Sequence, residues 1–183
     1  MSEQSLTNRP PRTMSGGRAL AEMLKLHNAA PMFGMGGFQL LPFYDAVREV
    51  GLSHTLINDE RCGAFAADAF ARVSGRPGVC DATLGPGATN LTTPAAYAAL
   101  GAFPLVMITG QKPIKVSKQA QFQIVDVVSL FTPLCKMAKQ IVNGERIPSL
   151  VREGFRRAQE ERPGAVLLEL PEDIAEEETS EPV

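Results

Sequence analysis

Residues 78–111 read GVCDATLGPGATNLTTPAAYAALGAFPLVMITGQ, and the punctuation of that stretch decides the fold. A short, mostly apolar run over 79–83 is broken by Gly85-Pro86-Gly87. Residues 88–100 then carry a helical pattern, and 105–109 form a second apolar run. Strand, glycine-rich turn, helix, strand is the unit that lays two parallel strands side by side, because parallel neighbours need a long crossover.

Outward from that unit the same theme repeats. Strands are expected over 31–34, 54–57, 79–83, 105–109, 136–141 and 165–170, with helices over 40–50, 60–74, 88–100 and 145–161. A further helix precedes them, with Ala19, Leu20, Met23, Leu24 and His27 at helical spacing and Thr13 or Ser15 as its N-cap. The pattern is clearest over 145–161, where Ile147, Leu150, Val151, Gly154, Phe155 and Ala158 recur at steps of three and four. Apolar strands separated by helices are what a parallel sheet covered on both faces requires. The expected fold class is α/β: a doubly wound, mostly parallel sheet of about six strands with helices on both faces. Residues 1–14, with Pro10 and Pro11, read as a disordered lead-in, 15–173 as the domain, and 174–183 as an acidic linker or cut end.

Composition narrows the function. A chain of 183 residues, 44% hydrophobic, suits one core. A net charge of -2 without a basic patch argues against nucleic acid as a partner. No apolar run approaches the ~20 residues that cross a bilayer, and the N-terminus lacks a signal-peptide core, so a cytoplasmic protein is expected. Cys62, Cys80 and Cys135 are odd in number and unpaired by any CxxC spacing, so they read as buried thiols. With only His27 and His54, neither a histidine metal centre nor a Ser-His-Asp triad is expected, and no metal ligands are assigned.

In open α/β sheets, ligands bind beyond the carboxyl ends of the strands. The unusual residues lie there: Gly34-Met35-Gly36-Gly37, Asp59-Glu60, Gly85-Pro86-Gly87 and Gly110-Gln111 each follow an expected strand. A glycine-rich turn with an acid ~20 residues on also suggests a nucleotide-binding Rossmann-like module. The third glycine of that fingerprint is absent, its positions being held by Gln39 and Asn90, and there is no GxxxxGK[ST] phosphate loop.

The stretch 58–78, NDERCGAFAADAFARVSGRPG, resembles the glutamate segment of thiamine diphosphate enzymes of the acetolactate synthase and pyruvate oxidase group. LGPGATN over 84–90 is similar to that group's second signature. Further matches are FGMGG over 33–37, PLVMITG over 104–110, Phe122-Gln123 with Asp126, and Arg162-Pro163-Gly164 before a strand ending Leu170-Pro171-Glu172-Asp173. The resemblance runs from about residue 15 to 175 and looks closest to catabolic acetolactate synthases.

The resemblance implies that the cofactor's aminopyrimidine ring docks on this domain, the N-terminal one. It implies that Glu60 hydrogen-bonds a ring nitrogen, favouring the imino tautomer that deprotonates the thiazolium carbon. Cys62, Ala64 and Phe65 are expected to surround Glu60 with apolar groups, a setting suited to sharing a proton. On the local pattern alone, an acid in a helix's first turn is equally explained by the macrodipole, with Asp59 the better cap. Cofactor-binding positions carried over are Gly36, Gly37, Pro86, Gly87, Asn90 and Gln123. Gly36 replaces the proline of many relatives, and Asp59 stands where histidine often precedes the glutamate. Lys112, Lys115 and Lys118 form a basic run that reads as a solvated loop.

Related enzymes hold the diphosphate and Mg2+ on a second domain through a Gly-Asp-Gly segment, and some carry FAD on a middle domain. This sequence contains no Gly-Asp-Gly. The expectation is therefore a thiamine diphosphate-binding domain of an acetolactate synthase-like enzyme, inactive alone. That enzyme would decarboxylate pyruvate or another 2-oxo acid and join the product to an acceptor. Its partners would be a diphosphate-binding domain and a second copy in a homo-oligomer. The alternatives are a separate subunit of a split thiamine diphosphate decarboxylase, the nucleotide module, and a non-catalytic interaction module.

Overall fold

A computed structural model describes residues 13–115 and 122–179. Its elements in chain order are β1 (Met14–Ser15), α1 (Gly16–Leu26), β2 (Met32–Gly34), α2 (Leu41–Glu49), β3 (His54–Leu56), α3 (Glu60–Ser74), β4 (Gly78–Ala82) and α4 (Pro86–Asn90). They continue with α5 (Thr92–Gly101), β5 (Leu105–Gln111), α6 (Val127–Phe131), β6 (Met137–Gln140), α7 (Ile147–Gln159), β7 (Ala165–Pro171), α8 (Glu172–Glu176) and β8 (Glu178–Thr179).

Six strands form one sheet in the order β3-β2-β4-β5-β7-β6. Every pairing in it is parallel. All six expected strands are present, with ends displaced by one or two residues.

The alternation of side chains along the strands splits the interior into two cores. Val79, Val106, Ile108, Val166 and Leu168 face one way and meet Leu20, Met23, Phe43, Val47, Val151 and Phe155 of α1, α2 and α7. Cys80, Ala82, Met107 and Leu167 face the other way and meet α3, α5 and α6. On that second face the helices present Ala64, Ala67, Ala95 and Ala98, side chains short enough to let the helices lie close to the sheet. At Gly78 the approach is closest, since a Cβ there would fall on the backbone carbonyl of Ala67.

Three differences from expectation have local causes. The helix expected over 88–100 is two, α4 and α5, joined at Leu91. Pro94 has no N–H to offer the carbonyl four residues back, so the ladder restarts. The five-residue α6 is too short to show a period. The acidic stretch after residue 173 is ordered at least to residue 179: Ile174 and Ala175 are fully buried, and β8 pairs antiparallel with β1 through Met14↔Thr179 and Ser15↔Glu178. Two apolar side chains in that stretch were its signal. The rest of the lead-in, residues 1–12, the end of the acidic stretch, 180–183, and Lys118 lie outside the described residues.

Of the two caps considered for the first helix, Ser15 is the one used, its Oγ accepting from the Arg18 N–H at 3.2 Å. Ser15→Ala is expected to lower unfolding free energy by about 1 kcal/mol in a urea titration. Among the described residues no helix is long and apolar enough to cross a membrane.

Candidate functional site

From β2 the chain leaves through α2 toward β3, whereas from β4 it leaves through α5 toward β5, in the opposite direction. Between the carboxyl ends of β2 and β4 the sheet therefore has a topological switch point, where a crevice opens. Residues 34–37 leave β2 on one side of it, and 83–87 leave β4 on the other.

Glu60 enters from α3, of which it is the first residue. Asp59 caps that helix, its Oδ1 accepting from the Arg61 N–H at 2.9 Å. The cap fixes the direction in which the first turn points. Glu60 is only 5% exposed, and its Oε2 accepts a hydrogen bond from Asn90 Nδ2 at 2.9 Å. Its Oε1 lies toward Gly87, where a Cβ would stand 3.0 Å away. That oxygen has no hydrogen-bond partner among the described residues.

Thr83 joins the two sides of the crevice. A Cβ on Gly87 would be 2.8 Å from Thr83 Cγ2, and one on Gly37 would overlap the Thr83 side chain. Thr83 Oγ1 donates to Gln39 Oε1 at 3.0 Å, tying the turn after β4 to the loop after β2. Sequence reasoning passed over Thr83; a hydroxyl at the end of a buried strand was the available signal.

Glu60, Gly87 and Asn90 are thus in direct contact, and Gly37 joins them through Thr83. Pro86 is exposed in the first turn of α4. Gln123 reaches the site by its main chain: with φ 62° it lays its carbonyl against Gly85, itself at φ 59°, with 2.7 Å to where a Cβ would be. Its side chain is exposed. Gly36 stands apart from Glu60, against the ring of Tyr44.

The expected neighbours of Glu60 are partly corrected. Ala64 is buried, but Cys62 and Phe65 are exposed, because on a helix they project to the side opposite the sheet. Among the three cysteines only Cys80 is a fully buried thiol, Cys135 being half-buried and Cys62 exposed. The carboxyl of Glu60 is framed by a glycine and an amide instead.

Asp59 has its own electrostatics. The Arg61 guanidinium, bonded to it at 3.0 and 2.5 Å, holds the carboxyl down from 3.8 to about 2. A pKa depressed on folding contributes stability that is complete above 3.8 and is lost as pH falls through about 2. Asp59→Asn is therefore expected to lower stability at pH 7, to make little difference below about pH 2, and so to flatten the acid limb between those values, read by urea titration across that range.

Two further polar clusters escaped the sequence. Asp81, on β4 and 1% exposed, accepts from Tyr44 Oη at 2.6 Å and bonds His54 Nε2 at 2.7 Å. Glu169, on β7, accepts from Gln111 Nε2 at 2.9 Å and Gln140 Nε2 at 2.7 Å, and burial pushes its carboxyl up. It floors a cleft of about 490 Å³ over the ends of β5, β7 and β6, also lined by Ile124 and Asp126. The Glu60 crevice is the better candidate for chemistry because it combines a carboxyl oxygen without a partner and turns that admit a ligand to the backbone. In each cluster the signal was an acid inside a strand run, which demands partners. Among the described residues no three His, Cys, Asp or Glu side chains converge to hold a metal.

Fold and site together define a ligand-binding α/β domain that presents a buried acid and glycine-walled turns at the switch point of a parallel sheet. The family model described as thiamine pyrophosphate enzyme, N-terminal TPP binding domain, matches residues 14–130, and the chain belongs to that family. It is 43% identical over 163 residues to a probable acetolactate synthase large subunit of Methanococcus aeolicus, covering 89% of this chain and 27% of that protein. A probable acetolactate synthase large subunit of Methanocaldococcus jannaschii is 42% identical, with 90% and 28% covered. The acetolactate synthase isozyme 2 large subunit of Escherichia coli is 38% identical, with 88% and 29% covered. The chain spans between a quarter and a third of the length of these relatives.

Proposed function

We propose that this chain is the cofactor-activating domain of an acetolactate synthase-like enzyme, in which Glu60 exchanges a proton with the aminopyrimidine of thiamine diphosphate. One observation carries the reading: a buried carboxyl has one oxygen held by Asn90 and the other without a hydrogen bond beside Gly87. When bound, the cofactor supplies the electron sink for decarboxylating a 2-oxo acid.

The rest is the chain's own work. Asn90 Nδ2 fixes the carboxyl's rotation, so that Oε1 is the oxygen that meets a ring nitrogen. Gly87 lets a flat ring approach to within contact of the backbone. Gly85, Pro86, Gly37 and the Gln123 main chain wall the ring in, with Thr83 joining the two sides, and Gly36 borders the same loop. Closing such a crevice excludes water, which sharpens proton sharing at Oε1. A pyrophosphate in this crevice would meet the Glu60 carboxyl with like charge, which disfavours the dinucleotide reading.

The diphosphate and its Mg2+ belong in this proposal to a second domain, of the same enzyme or of a partner subunit. We place the working assembly in the cytoplasm as a homo-oligomer, with FAD as an optional further cofactor. Pyruvate is the default substrate. The test supplies the 183-residue chain with thiamine diphosphate, Mg2+ and pyruvate, first alone and then with the remaining domains of a homologous synthase added in trans. Pyruvate consumption is expected only in the second case; turnover by the chain alone would overturn the assignment of half a site to it.

A further inference from the structure

We propose that Tyr44, Asp81 and His54 form a positioning set that holds the Gly36–Gly37 loop in place from behind, so that the loop's order is set by a buried carboxylate. The link to the cofactor rests on the function proposed above; the link to the loop does not.

The geometry is unusual for a parallel sheet. Asp81 on β4 and His54 on β3 lie two strands apart, with β2 between them, yet their side chains meet at 2.7 Å. They can do so because the residue of β2 lying between them is Gly34, paired in register with both Asp81 and Leu56. A Cβ on Gly34 would collide with the Asp81 carboxylate. The carboxylate therefore passes over the bare Cα of β2, immediately before the loop begins.

Tyr44 completes the connection. Its Oη donates to Asp81 at 2.6 Å, and its ring packs edge-on to His54 with centroids 5.6 Å apart. A Cβ on Gly36 would stand 3.5 Å from the same ring, so the ring flanks the loop and limits how far it can shift toward α2. The line from Asp81 through Tyr44 ends beside Gly36, one methyl's width from the loop. Tyr44, His54 and Gly36 also line one pocket of about 380 Å³.

Its charge balance predicts when the set is firm. The titratable and charged groups around His54 are Asp81 from β4 and Tyr44 and Arg48 from α2, the last on the wall of the same pocket. The hydrogen bond to Asp81 raises the His54 pKa above 6.5 in spite of burial. A pKa raised on folding contributes stability that is complete below 6.5 and is lost as pH rises through the folded value. The loop should therefore be tightest under mildly acidic conditions.

Amide hydrogen exchange followed by NMR on the full chain, corrected for intrinsic base catalysis, tests this without any cofactor. In Tyr44→Phe, exchange at the Leu40 and Ile57 amides, which donate to the Gly37 carbonyl at 3.1 Å and the Gly34 carbonyl at 2.9 Å, is expected to rise about tenfold, as for loss of a hydrogen bond to a charged group, with β5 amides unchanged. In the parent chain, loop exchange should rise as His54 titrates; in Asp81→Asn that dependence should vanish. Loop exchange within threefold of the parent in Tyr44→Phe, or a His54 titration that leaves the loop untouched, overturns the proposal. Should Asp81→Asn not fold, His54→Gln takes its place in the pH arm. Failure of the Glu60 reading would leave these results standing, and their failure would leave that reading standing.

Discussion

Glu60→Gln is expected to slow the exchange of the cofactor's acidic ring proton with solvent by about a hundred- to ten-thousand-fold, the range that one general acid–base group supplies. The measurement is deuterium exchange into thiamine diphosphate bound to the assembled enzyme, followed by NMR, which reads activation before any substrate is present. Gln keeps the length and one oxygen of Glu, and Asn90 can still donate to that oxygen, so the site's shape survives. What disappears is the ability of the second position to take and return a proton. Unfolding midpoint and cofactor affinity should change little. A rate within tenfold of the parent would place the proton elsewhere in the crevice.

Gly78→Ala is expected to have the largest effect on stability, about 3 kcal/mol in a urea titration, at the upper end for one added methyl in a packed interior. The added carbon would fall on the carbonyl of Ala67, main chain in the middle of a fifteen-residue helix, so no side-chain rotation can relieve the overlap. The helix must move off the sheet. Because Glu60 begins that helix, the displacement should reach the crevice too, and cofactor affinity should fall along with stability. Gly51→Ala is the control: nothing lies within 4 Å of a Cβ there, and its cost should be limited to the strain of φ 71°.

The contrast between those two glycines shows what the sequence conceals. Periodicity revealed six strands and their intervening helices, because the inner strands β4, β5 and β7 are mostly apolar and fully buried, and each strand is set off from the next by a helical pattern. Strand ends and glycine-rich turns then located the crevice. Periodicity could not say that β3 lies at one edge and β6 at the other, since order in a sheet is set by packing between distant segments. For the same reason Thr83, Asp81 and Tyr44 went unnoticed: their partners are 37 to 44 residues away, at Gln39, Tyr44 and Asp81. Asn90 was legible only through a family pattern, and its bond to Glu60 spans 30 residues. Cys62 and Phe65 were misjudged because adjacency along a helix is not adjacency in space.

The short pairing of β1 with β8 brings Met14 opposite Thr179, about 5 Å apart as partnered strand residues are. A body whose two described ends leave side by side behaves as a cartridge. Splicing it into a surface loop of a carrier protein, or joining those ends and opening new termini at Gly51, is expected to leave the six-stranded sheet unstretched. Under the function proposed above, the half-site would travel with that cartridge as one piece.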